Sequence, residues 1–214
     1  MADLSNKLQR AFEFLNKGSL KQAEILYLEC LDRIDDPSST LYKQALHGLA
    51  YVKSELNQYT EANELYSELL RRARQESDSQ NEAIAYHQLG LVQRMAGNYE
   101  AALGFFAEEL AIYDTFRSTP HLGFAANLYE QAMVHLGQEN LTEAQRLMEE
   151  ALDNAEKTDD FIVIGSLYRG LGDIYQQIAR SDEAKKHYRN AANAYRQAND
   201  LKAVEEIERK LEGV

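Results

Sequence analysis

The feature that most constrains this chain is a period of about 40 residues. Five short segments superimpose: Leu20-Lys21-Gln22-Ala23, Tyr59-Thr60-Glu61-Ala62, Tyr99-Glu100-Ala101-Ala102, Leu141-Thr142-Glu143-Ala144 and Ser181-Asp182-Glu183-Ala184. Their final alanines lie 39, 40, 42 and 40 residues apart. A second small residue stands twelve positions before each of them: Ala11, Ala50, Gly90, Ala132 and Gly172. A large one stands four positions after: Tyr27, Tyr66, Phe106, Met148 and Tyr188. Self-similarity at such a period marks a repeat architecture, in which one supersecondary unit stacks on the next.

The composition says what that unit is. Ala, Leu, Glu, Gln, Lys and Arg dominate, and only two prolines occur. These residues favour helix, and over long windows their summed propensity is informative. A small residue on each of two helices lets the backbones approach. A large one a turn further on fills the space beside the contact. Between the small residues Gly18, Asn57 or Gly97 marks a tight turn in the first three units, since glycine and asparagine tolerate the left-handed conformation that ends a helix. Ser19, Asn98 or Asn140 can cap the helix that follows, and Ser19 with Gln22 has capping-box spacing. Each unit is therefore a helix, a turn and an antiparallel helix. None can bury its apolar face alone, so neighbours must stack.

These residues resemble the tetratricopeptide repeat family, most clearly in Leu89-Gly90, Gly97-Asn98-Tyr99, Ala102 and Phe106. The likeness covers about residues 3–198. The resemblance implies an all-α fold: a right-handed superhelix, or α-solenoid, of five helix-turn-helix repeats plus a C-terminal capping helix. We place the repeats at about 3–36, 38–77, 79–117, 119–158 and 159–198, in a single domain over 1–214. The period exceeds the usual 34, as in Rap-type peptide receptors and kinesin light chains. The family's common proline at the end of the second helix is absent. The fifth turn, Ala179-Arg180-Ser181, matches weakly, and Glu109 stands where a small or apolar residue is expected. After Asp200, Leu201, Val204, Ile207 and Leu211 form one stripe, which predicts the capping helix over 200–212.

Charge and targeting narrow the partners. There are 35 Asp and Glu against 23 Lys and Arg, a formal charge of −12. Nucleic acid and anionic membrane surfaces would repel such a chain. No apolar run approaches the ~20 residues that cross a bilayer. Met1 to Lys7 contains no basic segment leading into an apolar one, so we expect a cytoplasmic protein with Cys30 as a reduced, buried thiol.

Catalytic spacing is missing. There is no Walker A sequence, no glycine-rich dinucleotide loop after a strand and no His-Glu-x-x-His. His47 and His87 fall at equivalent places in adjacent repeats, about one helix spacing or ~8–10 Å apart. That is too far for one metal, since Zn–N distances are ~2 Å. We expect no enzyme activity, no cofactor and no metal.

In the resembled family the first helix of each repeat lines a concave surface where ligands bind. The resemblance places His47, Tyr51, His87, Gln88, Leu91, Arg94, Met95, Tyr129, Glu130, Met133, Arg169, Asp173 and Gln176 there, with Phe12 beside them and Asn127 and Glu55 at the margin. Tyr and Met suit irregular partners, offering area and adaptability. Chaperone-adaptor members clamp a terminal carboxylate with Lys and Asn, but those places here carry Leu8, Phe12, Gly48, Ile84 and Gln88. The expected function is a non-catalytic module that binds a protein or peptide ligand in this groove. A sensor of small signalling peptides, as in Rap-type receptors, and a self-associating scaffold forming a homodimer are the alternatives.

Overall fold

The computed structural model describes residues 2–214. Among them the chain forms eleven helices and no strand: α1 (Ala2–Asn16), α2 (Leu20–Arg33), α3 (Thr40–Glu55), α4 (Tyr59–Glu76), α5 (Ser79–Met95), α6 (Tyr99–Tyr113), α7 (His121–Gly137), α8 (Leu141–Ala155), α9 (Phe161–Gln177), α10 (Ser181–Gln197) and α11 (Leu201–Glu212). The first ten make five helical hairpins. The chain divides into two compact units, one ending at Ile112 and the other running from Tyr113 to Val214.

All five hairpin turns close in one way. The second residue after each first helix's end adopts positive φ: Gly18 (71°), Asn57 (60°), Gly97 (79°), Glu139 (60°) and Ala179 (59°). The next N–H then donates back five residues: Ser19 to Phe14, Gln58 to Lys53, Asn98 to Gln93, Asn140 to His135 and Arg180 to Tyr175, at 2.8 to 2.9 Å. This is the Schellman closure, which satisfies carbonyls that the helix end leaves open. Glycine or asparagine announces it in three units; Glu139 and Ala179 adopt it without that signal.

The caps fall differently from expectation. Ser19 makes no side-chain capping bond. Asn140 does cap α8, accepting from the Glu143 N–H. Most of the side-chain caps begin first helices: Ser39 before α3, Asp78 before α5 and Asp160 before α9, each accepting from the N–H three residues on. Asp200 does the same before α11. Such a bond satisfies one orphan N–H and is worth about 1 kcal/mol.

The small-and-large pattern builds the core. Tyr27, Tyr66, Phe106, Met148 and Tyr188 are all buried. Inside their own hairpins, Phe106 lies on Gly90 and Tyr188 on Gly172. A Cβ on Gly90 would stand 2.7 Å from Phe106 Cδ1, and one on Gly172 would stand 2.6 Å from Tyr188 Cδ1. Glycine there is a requirement of close approach. The same rank of residues also reaches the next hairpin, where Tyr27 lies on Gly48 and Met148 on Gly170. Cys30 is fully buried, and burial raises its thiol above the ordinary value.

Glu109, the residue that departs from the family pattern, is also buried. Its Oε2 lies 2.9 Å from His87 Nδ1 across the third hairpin. At the C-terminal end, α11 buries Val204 and Ile207, while Leu201 of the expected stripe stays exposed.

Candidate functional site

Within the unit that ends at Ile112, first helices α1, α3 and α5 wall a cavity of about 1370 Å³. Its floor includes Tyr66 and Arg72 from α4. Three large apolar side chains of its lining are exposed, one from each wall: Phe12 (51%), Tyr51 (41%) and Ile84 (40%). Water-facing apolar groups on three separate helices are unusual for residues that only pack, and they gather here in one concavity.

The polar groups of the lining have distinct conditions. The His47 ring packs edge-on against Tyr66, with centroids 5.5 Å apart, and makes no hydrogen bond among the described residues. The Tyr66 hydroxyl is buried without a hydrogen-bond partner, and burial raises it far above the ordinary phenol value. Burial, and then the Glu55 carboxylate, raises the Tyr51 phenol. Lys43 is held by Glu76. Arg72 pairs with Glu68 at 2.7 Å, donates to the Pro37 carbonyl at 2.6 Å and lies 4.9 Å over the Tyr42 ring.

The structure therefore brings His47 and Tyr51 together with Phe12 and Glu55. Further along α5, Gln88, Leu91, Arg94 and Met95 are half-buried and do not line this cavity. His87 is half-buried and turned to Glu109 and to the Phe106 ring, 5.9 Å away. Gln9 and Gln44 also line the cavity. Helical spacing could have found them, since Gln44 lies one turn before His47 on the same face.

In the unit from Tyr113 to Val214, Tyr129, Glu130 and Met133 are half-buried on α7. Asn127 is fully buried, and its Oδ1 accepts from Gln131 Nε2 at 2.6 Å. Arg169, Asp173 and Gln176 on α9 take part in internal contacts. Arg169 pairs with Glu206 of α11 at 3.3 Å. Asp173 takes Lys210 at 2.7 Å and the Tyr188 hydroxyl at 2.6 Å, and Gln176 Oε1 lies 2.9 Å from that hydroxyl. Two of these three residues thus fasten α11 in place.

Two histidines give the fold a pH dependence. Burial pushes the imidazoles of His47 and His187 below their ordinary value. At a pH between the folded and unfolded values only the unfolded chain holds the proton. Stability from this source is complete above about pH 6.5 and is lost as the pH falls through the folded values. The urea midpoint should be level near pH 7.5 and decline from about pH 6.5 downward. A His47→Gln/His187→Gln variant should show a shallower decline over that window. An equal slope in both proteins would remove the histidines as its cause.

Among the described residues no three His, Cys, Asp or Glu side chains are grouped to hold a metal, and no helix is long and apolar enough to cross a membrane. What the fold and the cavity define is a helical-hairpin repeat protein with an open concave face. The family model for the tetratricopeptide repeat matches residues 41–115 and 124–208. The chain belongs to the tetratricopeptide repeat family. A comparison with curated protein sequences gives no match.

Solved structures share the fold at low identity. Nearly identical TPR-like repeats assigned to a kinesin light chain of Podosopora anserina are 17% identical with a TM-score of 0.68, covering 92% of this chain and 97% of theirs. BtubC (BKLC) from P. vanneervenii is 18% identical with a TM-score of 0.68, covering 92% and 90%. Bacillus thuringiensis PlcR, in complex with the peptide PapR7 and DNA, is 12% identical with a TM-score of 0.75, covering 98% and 74%.

Proposed function

We propose that this chain is a non-catalytic binding module that holds a peptide segment of another protein in the groove walled by α1, α3 and α5. The observation that carries this reading is the exposure of Phe12, Tyr51 and Ile84 around one cavity of about 1370 Å³. Rings held on stacked helices are ordered before the ligand arrives, which reduces the entropy cost of binding. Aromatic anchors of this kind carry much of the energy in protein interfaces. A sensor of short signalling peptides is a second reading, favoured by the likeness to PlcR, whose structure contains the peptide PapR7.

One experiment separates the outcomes. Wild type and a Phe12→Ala/Tyr51→Ala variant of equal helicity are used to capture partners from the source cells, and the eluates are identified by mass spectrometry. Both rings are exposed, so the fold should be preserved. A true groove partner should bind the variant at least about tenfold more weakly, the effect of losing interface anchors worth ~1–2 kcal/mol. A protein in the eluate supports the module, and a free short peptide supports the sensor. A partner held equally by both forms places the binding surface elsewhere.

A further inference from the structure

The chemistry of the groove narrows what it can hold, and the inference rests on the groove being the binding site. Both cations of its lining are already engaged, Lys43 by Glu76 and Arg72 by Glu68 and the Pro37 carbonyl. An anionic ligand would have to compete with those pairs. Glu55 is the opposite case. It lines the same cavity, is exposed, makes no ion pair among the described residues, and has the Tyr51 hydroxyl as a hydrogen-bonding neighbour.

Three further facts sharpen the contrast. Glu55 is the last residue of α3, at the negative end of the helix dipole. It stands one turn beyond Tyr51, close enough to act on that phenol. Phe12 and Tyr51 occupy equivalent positions of adjacent repeats, each one residue after the small residue of its first helix, and both rings are exposed. Aromatic faces attract cations through the ring quadrupole, and a carboxylate beside them adds a charge-assisted hydrogen bond. A planar guanidinium can use both at once, since it stacks and presents a fork of donors. The net charge of −12 favours the approach of a basic segment at long range.

We propose that the Phe12–Tyr51–Glu55 corner receives an arginine or lysine side chain from the partner's peptide segment, with an apolar residue of the same segment against Ile84. The ligand class is thus a basic, apolar-flanked peptide.

The test uses random dodecapeptides displayed on phage and selected on the full chain. Enriched sequences are then made as fluorescein-labelled peptides and titrated by anisotropy against wild type, Phe12→Ala/Tyr51→Ala, Glu55→Gln and Glu55→Arg. The enriched peptides should carry Arg or Lys beside apolar residues. Glu55→Gln should weaken them about tenfold, and Glu55→Arg more. Replacing the peptide's arginine with citrulline should cost wild type the same factor and cost Glu55→Gln little further. Peptides that need Phe12 and Tyr51 but carry no basic residue and ignore Glu55→Gln would overturn the ligand class while leaving the groove in place. Peptides indifferent to Phe12→Ala/Tyr51→Ala, or no enrichment at all, would overturn the groove reading and the ligand class with it.

Discussion

Tyr188→Ala should cost the unit from Tyr113 to Val214 about 3–5 kcal/mol, the range for truncating a large buried aromatic. The reason is geometric. The ring of Tyr188 on α10 is fully buried and lies on Gly172 of α9, which has no side chain to move into the vacated space. The cavity would therefore persist, and its lining would lose dispersion contacts outright. The hydroxyl adds a second loss. It donates to Asp173, and Asp173 also holds Lys210 of α11, so truncation loosens the terminal helix as well. Burial, and then the Asp173 carboxylate, raises the Tyr188 phenol, so it remains protonated and keeps its donor through the neutral range. Tyr188→Phe keeps the ring and should cost only about 1 kcal/mol. Urea unfolding of the two variants separates the contributions. Equal costs would mean that the ring does not anchor the hairpin.

The same residues show what a sequence can and cannot disclose. The Gly172 and Tyr188 pair was legible because a small and a large residue recur at that fixed spacing in five units, and recurrence identifies positions even when the residues differ. The turns at Glu139 and Ala179 were less so. Their left-handed conformation is held by backbone hydrogen bonds, which any residue can make at a modest steric cost. The site was legible only in part. His47 and Tyr51 project into the cavity because α3 repeats its face every three to four residues, a periodicity the sequence carries. Arg169 and Asp173 have the same periodicity on α9, yet they pair with Glu206 and Lys210 on α11. Nothing local to α9 distinguishes a residue that meets solvent from one met by a later helix.

Glu109 is the sharpest instance, because its oddity was visible and its partner was not. Glu109→Ala should destabilise the fold by about 3 kcal/mol, at the lower end for breaking a buried pair. The carboxylate is fully buried on α6, and the His87 ring that meets it at 2.9 Å keeps only 18% of its side chain exposed. Removing the carboxylate takes away the group that meets that imidazole nitrogen and leaves a void inside the third hairpin. A pair of this kind need not be the most stable filling of its space. Burying charge costs desolvation, and apolar residues of similar volume often match or exceed the pair they replace. The His87→Leu/Glu109→Leu double variant should therefore recover much of what Glu109→Ala loses. A double-mutant cycle should give a coupling of about 1–3 kcal/mol between positions 87 and 109. Strictly additive costs in urea unfolding would show that the two side chains do not depend on each other. Strong coupling would assign His87 to the hairpin's interior, although its position in the repeat matches that of His47, which faces the cavity. Equivalent positions in adjacent repeats would then do different work because α6 carries Glu109 where α4 carries Leu69.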